Sequence, residues 1–112
     1  MPKPTARANS RYSRDALVLL GQMIKLARID KKLTGQELAD RAGISRGLLQ
    51  RIEKGDSGCA VGAVFEVAAI VGVPLFDPMQ SVLAASISAN KVTLKLLPKS
   101  VRPTRKQVKD DF

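Results

Sequence analysis

The sequence predicts an all-α protein, and three observations point there. Aromatic residues make up 4% of the 112 residues against a hydrophobic share of 45%, which suits an aliphatic, helical core. Apolar side chains recur every three or four residues along most of the chain. Cap and stop residues stand where those periodic stretches begin and end: Thr34 three before Glu37, then Gly43, Ser45, Gly72 and Pro74.

In chain order, residues 1–12 hold Lys3, Arg7 and Arg11 with nothing apolar to bury. They are expected to be a disordered basic arm, either following DNA phosphates or merely solubilising. Ser13 or Asp15 can cap a first helix running to about Ile29, with Leu17, Leu20, Ile24 and Ala27 as its buried stripe. The Asp30-Lys31-Lys32 run breaks that pattern before Leu33 reaches back into the core. Thr34 and Glu37 form a capping box that opens a second helix, in which Leu38, Ala39 and Ala42 face inward. Gly43 offers the left-handed conformation that stops it. Only Ile44 separates that glycine from Ser45, a second N-cap. Two short helices across so tight a turn spell helix-turn-helix.

The helix after Ser45 has two unlike sides. Leu48, Leu49 and Ile52 gather on one; Arg46, Gly47, Gln50 and Arg51 gather on the other. Arg and Gln make paired hydrogen bonds to guanine and adenine edges in a major groove. Gly47 would let the backbone come close to the bases. The competing reading of such a face is an ordinary solvated one. The paired caps, the tight turn and the charge of the chain favour DNA.

Cys59 falls in the next loop and is expected to be an inert small side chain, since no basic neighbour in sequence would activate it. A fourth helix from about Val61 to Val71 is apolar nearly all round, so burial on more than one side is expected, part in the domain core and the rest against a second subunit. Asp77-Pro78 looks like a cap with proline at the first helical position, opening a fifth helix. Met79, Val82, Leu83 and Ile87 extend an apolar stripe along it. Helix is expected as far as Asn90. Residues 92–97 suit either more helix or a short strand pairing with its twin in a dimer. After Pro98 the chain turns basic and ends in Asp110, Asp111 and Phe112, expected as a disordered tail or as a peptide docking on a partner through Phe112. The expected divisions are therefore an arm at 1–12, a helix-turn-helix domain at 13–76, a helical dimerisation segment at 77–97 and a tail at 98–112.

Charge and missing residues narrow the function. Nineteen Lys and Arg against ten Asp and Glu give a net charge of +9, which favours an anionic partner. No apolar run approaches the roughly 20 residues of a spanning helix. The first residues lack a secretory signal, so no membrane and a cytoplasmic address are expected. There is no His and one Cys, which removes the commonest general base and Cys-rich zinc sites. No phosphate loop, nucleophile elbow or paired carboxylates appear. Neither an enzyme nor a metal or other cofactor is expected.

From about Leu20 to Phe76 the chain resembles the Xre/Cro-type helix-turn-helix proteins, lambdoid phage repressors among them. The resemblance lies in LGQMIKLAR, LTGQELADRAGIS, LLQRIEKG and VFEVAAIVGVPLF. It implies a five-helix, lambda-repressor-like domain with the helix from Ser45 to about Glu53 in the major groove and Gly35–Ala42 across the backbone. Arg46, Gly47, Gln50 and Arg51 fall at base-facing positions, and Thr34, Ser45 and Lys54 at phosphate-contacting ones. Arg28 and Glu53 would form a partly buried structural ion pair. Two departures stand out. Gly35 replaces the family's usual Gln, which braces a recognition side chain, and Ser57–Val61 lacks the minor-groove Arg of some relatives.

The whole chain, with its basic arm, GVPLFDP, one long helix, LLPKSVR and a DDF terminus, looks like HipB-like antitoxins. That likeness implies a homodimeric repressor of its own promoter, on double-stranded DNA with an inverted-repeat operator, that also neutralises a HipA-type kinase toxin. A free-standing phage-type regulator and a protein-interaction module are the alternatives.

Overall fold

A computed structural model describes residues 10–101 and 103. Among them the fold is all-α, with no strand: α1 (Arg11–Asp30), α2 (Gly35–Ala42), α3 (Arg46–Glu53), α4 (Val61–Val71) and α5 (Gln80–Leu96). The chain divides between Leu75 and Phe76 into two units, α1 to α4 in the first and α5 in the second. The basic arm up to residue 9 and the terminal Asp110, Asp111 and Phe112 lie outside the described residues.

The first unit is built on one aliphatic core. Ile24 of α1, Leu38 and Ala39 of α2, Leu49 and Ile52 of α3, and Val67, Ala68 and Val71 of α4 are buried, with Val73 closing the end. Leu20 and Ala27 pack against this cluster, as their helical spacing from Ile24 requires. α2 packs on α3 and α4, and α1 packs on the same two helices. Each of the large aliphatic side chains contributes about 1.5–3 kcal/mol by leaving water.

Two features set the crossing of α1 over α3. Gly21 is buried, and a Cβ there would lie 2.6 Å from the Ile52 carbonyl oxygen and 2.7 Å from that of Glu53. The absent side chain lets the two backbones touch. Two turns further along α1, the contact becomes ionic. Arg28 Nε donates to Glu53 Oε2 at 2.8 Å and Nη2 donates to Oε1 at 3.1 Å. Nη1 donates to the Leu33 carbonyl at 3.0 Å, so the same guanidinium also ties down the α1–α2 turn. The hydrogen bond to Glu53 holds the Arg28 pKa above its ordinary value, against the opposing effect of burial.

The structure corrects several expectations. Ser10 caps α1, not Ser13 or Asp15: Ser10 Oγ accepts from the Ser13 N–H at 3.1 Å, which makes Ser13 a first-turn residue. Arg11 and Tyr12 are therefore helical rather than part of the arm. Leu33 is half-buried and stays out of the core cluster, contributing its carbonyl instead. Within the single chain α4 buries one side, with Val61 exposed, so any burial of its other side falls to the second subunit the sequence reading allowed for. Asp77 and Pro78 precede α5 rather than opening it, because Asp77 Oδ1 accepts from the Met79 N–H two residues on, and the helix starts at Gln80. At its other end α5 continues through Leu96, so residues 92–96 are helix and not strand. Thr93 Oγ1 donates to the Ala89 carbonyl, Leu97 turns extended, and Pro98 bars another turn. Val92, Leu94 and Leu96, whose alternation suggested a strand, are all exposed on the helix. The stripe expected on α5 is not buried at any position.

Gly21→Ala should cost about 1–3 kcal/mol despite the better helix propensity of alanine, because the new methyl meets backbone that cannot step aside. Urea unfolding would measure it. Glu53→Ala should cost about 2–3 kcal/mol, somewhat below a fully buried pair, since the two side chains keep 13% and 9% exposure. An unchanged denaturation midpoint would show that the pair does not hold the helices together.

Candidate nucleic-acid interface

The interface is assembled from two caps and one stop. Thr34 Oγ1 accepts from the Glu37 N–H at 3.0 Å while Glu37 Oε1 accepts from the Thr34 N–H at 2.8 Å, a complete capping box. α2 ends at Gly43, whose φ of 71° is left-handed, and the Ile44 N–H reaches back to the Ala39 carbonyl at 3.0 Å. This closes the helix end in the 6→1 manner of a Schellman motif. Ser45 Oγ then accepts from the Leu48 N–H at 3.0 Å and starts α3.

Leu49 and Ile52 anchor α3 inward with almost no exposure, and Leu48 is half-buried beside them. Arg46, Gly47, Gln50 and Arg51 are all exposed. The nearest atom to a Cβ on Gly47 would be Ser45 Oγ at 4.0 Å, so nothing hinders approach to the backbone there. Thr34 and Ser45 use their hydroxyl oxygens as acceptors in the caps, which leaves each O–H proton able to donate to a phosphate. Lys54 caps the C-terminal end of α3 and is exposed.

The departure at Gly35 has a structural counterpart. A Cβ at Gly35 would lie 3.9 Å from Arg46 Nε, so the Arg46 side chain runs past the spot where a longer residue would stand. The neighbouring Gln36 is turned along its own helix, its Nε2 donating to Asp40 Oδ1 at 2.8 Å. Arg51 has a partner that sequence reasoning missed. Its Nε donates to Asp56 Oδ2 at 2.9 Å, and the Gly58 N–H donates to Asp56 Oδ1 at 2.7 Å. The Arg51 bond, backed by the Gly58 N–H, holds the Asp56 carboxyl below its ordinary pKa, and Asp56 in turn raises that of Arg51. An acid in the tight Gly55–Gly58 turn, five residues after an arginine, was the available signal. Arg28 and Glu53 stand away from this face, at the joint behind α3.

Cys59 is half-buried in the loop before α4. Among the described residues no group of three or more His, Cys, Asp or Glu could hold a metal ion, and no helix is long and apolar enough to cross a membrane.

Residues 24–77 match the helix-turn-helix family. The match supports a helix-turn-helix domain of the Xre/Cro type over that stretch. No curated protein and no solved structure matches the chain. That family is one of DNA-binding, regulatory domains, typically non-enzymatic, and the match points to a DNA-binding regulator. The match begins inside α1 and ends before α5, which lies outside the matched residues.

Ser45→Ala should cost about 1 kcal/mol, the usual effect of losing an N-cap side chain. Thermal unfolding followed by circular dichroism would show it as a lowered midpoint with unchanged helix content.

Proposed function

We propose that the chain is a sequence-specific transcriptional repressor that grips an inverted-repeat operator as a homodimer. The observation that carries this reading is the two-sided α3, with Leu49 and Ile52 locked inward while Arg46, Gly47, Gln50 and Arg51 stand in solvent on one face. Arg46 and Arg51 suit guanine edges and Gln50 suits adenine. Thr34, Ser45 and Lys54 take the flanking phosphates. The dimeric part draws support from α5, where Val82, Ile87, Leu94 and Leu96 are exposed and no residue is buried. A two-fold assembly would set two copies of α3 about 34 Å apart on one side of the duplex.

The finer part of the proposal makes this repressor the antitoxin of a HipA-type kinase, repressing its own promoter and holding the kinase inactive. Its support is the resemblance of the whole chain, from basic arm to DDF terminus, to HipB-like antitoxins, with Asp110, Asp111 and Phe112 as the docking end. Without a toxin the same DNA-binding reading describes a free-standing regulator.

Arg46→Ala and Gln50→Ala should each lower operator affinity by about 1–3 kcal/mol while leaving salt-sensitive binding to random DNA. Fluorescence anisotropy against operator and scrambled duplexes separates the two. Retention of full preference in both variants would mean that α3 does not read bases. Purification of the native protein from its own cells decides the partner question: a bound kinase supports the antitoxin, and DNA alone supports the free-standing regulator.

A further inference from the structure

We propose that Asp56 is a specificity-determining residue that positions Arg51 for one base pair of each half-site. The inference rests on the DNA-reading assignment of α3 and names a residue outside it. A carboxylate beside a surface that meets phosphates is electrostatically costly, so its presence calls for a role. The turn bond to Gly58 accounts for one carboxylate oxygen, but stability supplies no role for the ion pair made by the other, since that pair is exposed, with 51% of the Arg51 side chain and 37% of the Asp56 side chain open to solvent. Orientation does.

An arginine on a helix surface samples many rotamers, and fixing it before contact lowers the ordering cost of binding. Asp56 takes the Nε edge of the guanidinium at 2.9 Å. The terminal Nη1 and Nη2 pair is thereby left for the N7 and O6 acceptors of a guanine. Asp56 is itself fixed, because the Gly58 N–H holds its other oxygen at 2.7 Å. Gly58 completes the arrangement sterically. A Cβ there would lie 3.2 Å from Arg51 Nη2 and 3.3 Å from Asp56 Oδ1, so a side chain at 58 requires both to shift by a few tenths of an ångström. Arg51, Asp56 and Gly58 thus form a brace at the C-terminal end of α3. The brace stands in a different place from the position where this chain has Gly35.

The test uses the full-length chain and a random-sequence duplex pool, selected and sequenced to give base preference at every operator position. Arg51→Ala should flatten preference at one base pair per half-site. Asp56→Ala and Gly58→Ala should flatten preference at that same pair by about fivefold or more, the size of one base contact. Preference at the pairs read by Arg46 and Gln50 should survive in both. Asp56→Ala should also bind random DNA more tightly, having lost a repelling charge. In an Arg51→Ala background, Asp56→Ala should change no base preference further. Circular dichroism melts of each variant identify any that are unfolded, and the two brace variants provide independent checks. Full preference at the Arg51-dependent pair in Asp56→Ala overturns the proposal, as does an Arg51→Ala variant that loses no preference anywhere. Loss of preference in Arg46→Ala or Gln50→Ala alongside such a result would leave the DNA-reading assignment standing and remove the brace alone. Retention in all of them would remove both.

Discussion

The guanidinium of Arg28 is the constraint on which the rest of the first unit depends. It joins three segments at once, bonding both oxygens of Glu53 at the end of α3 and the Leu33 carbonyl in the turn before α2. Hydrophobic contacts hold α1 to α3 but are non-directional, so they would tolerate some sliding of one helix over the other. A bidentate pair does not, because its two bonds fix an angle as well as a distance. Gly21 fixes the closest approach two turns earlier on the same helix. Together they set the pose of α3 from behind and leave its outward face without structural duties.

That separation answers a problem of size. α2 and α3 have eight residues each, well below the length at which an isolated helix holds together in water. Each is rescued at its start by a side-chain cap and on its inner side by two fully buried residues. Arg46, Gly47, Gln50 and Arg51 then need contribute nothing to the fold. Substitutions on that face would leave the core, the caps and the Arg28 clamp as they are.

How much of this was legible in the sequence depended on the range of the interactions. Thr34, Glu37, Gly43 and Ser45 act on backbone within four residues of themselves, and the sequence shows them directly. The inward set of Leu38, Leu49 and Ile52 follows from helical period alone. Local rules failed where several candidates competed for one role. Ser10, Ser13 and Asp15 are all acceptable caps, and only the path of the chain selects Ser10. Asp77 has the composition of a cap, yet its carboxylate closes a two-residue turn instead. Residues 92–96 satisfy both periods because their apolar side chains are exposed, so no burial pattern distinguishes helix from strand. The Arg28–Glu53 pair spans 25 residues and was legible only through family resemblance. The Arg51–Asp56 pair is short in sequence, but it depends on the tight turn that brings Asp56 back beside α3. No spacing rule for a regular helix reaches across such a turn.

The electrostatics of the helix-turn-helix follow from where its carboxylates are placed. Four lie between Thr34 and Gly58, and each is engaged: Glu37 on the Thr34 backbone, Asp40 on Gln36, Glu53 on Arg28 and Asp56 on Arg51. Arg41, Arg46 and Lys54 in the same stretch are exposed and bonded to none of them. The negative charge of this segment is thus committed to internal bonds, at a joint, a helix start or a turn, while much of its positive charge faces outward. A duplex approaching α3 meets a net attractive field that acts over about 8–10 Å at physiological salt before any base contact forms. Attraction of this kind carries no sequence information, so on the proposed reading choice among sequences rests on the side chains that reach base edges. Among the exposed basic groups of this face, Arg51 has its direction set by an ionic partner, and on the proposed reading this gives Asp56 a part in recognition rather than making it an obstacle.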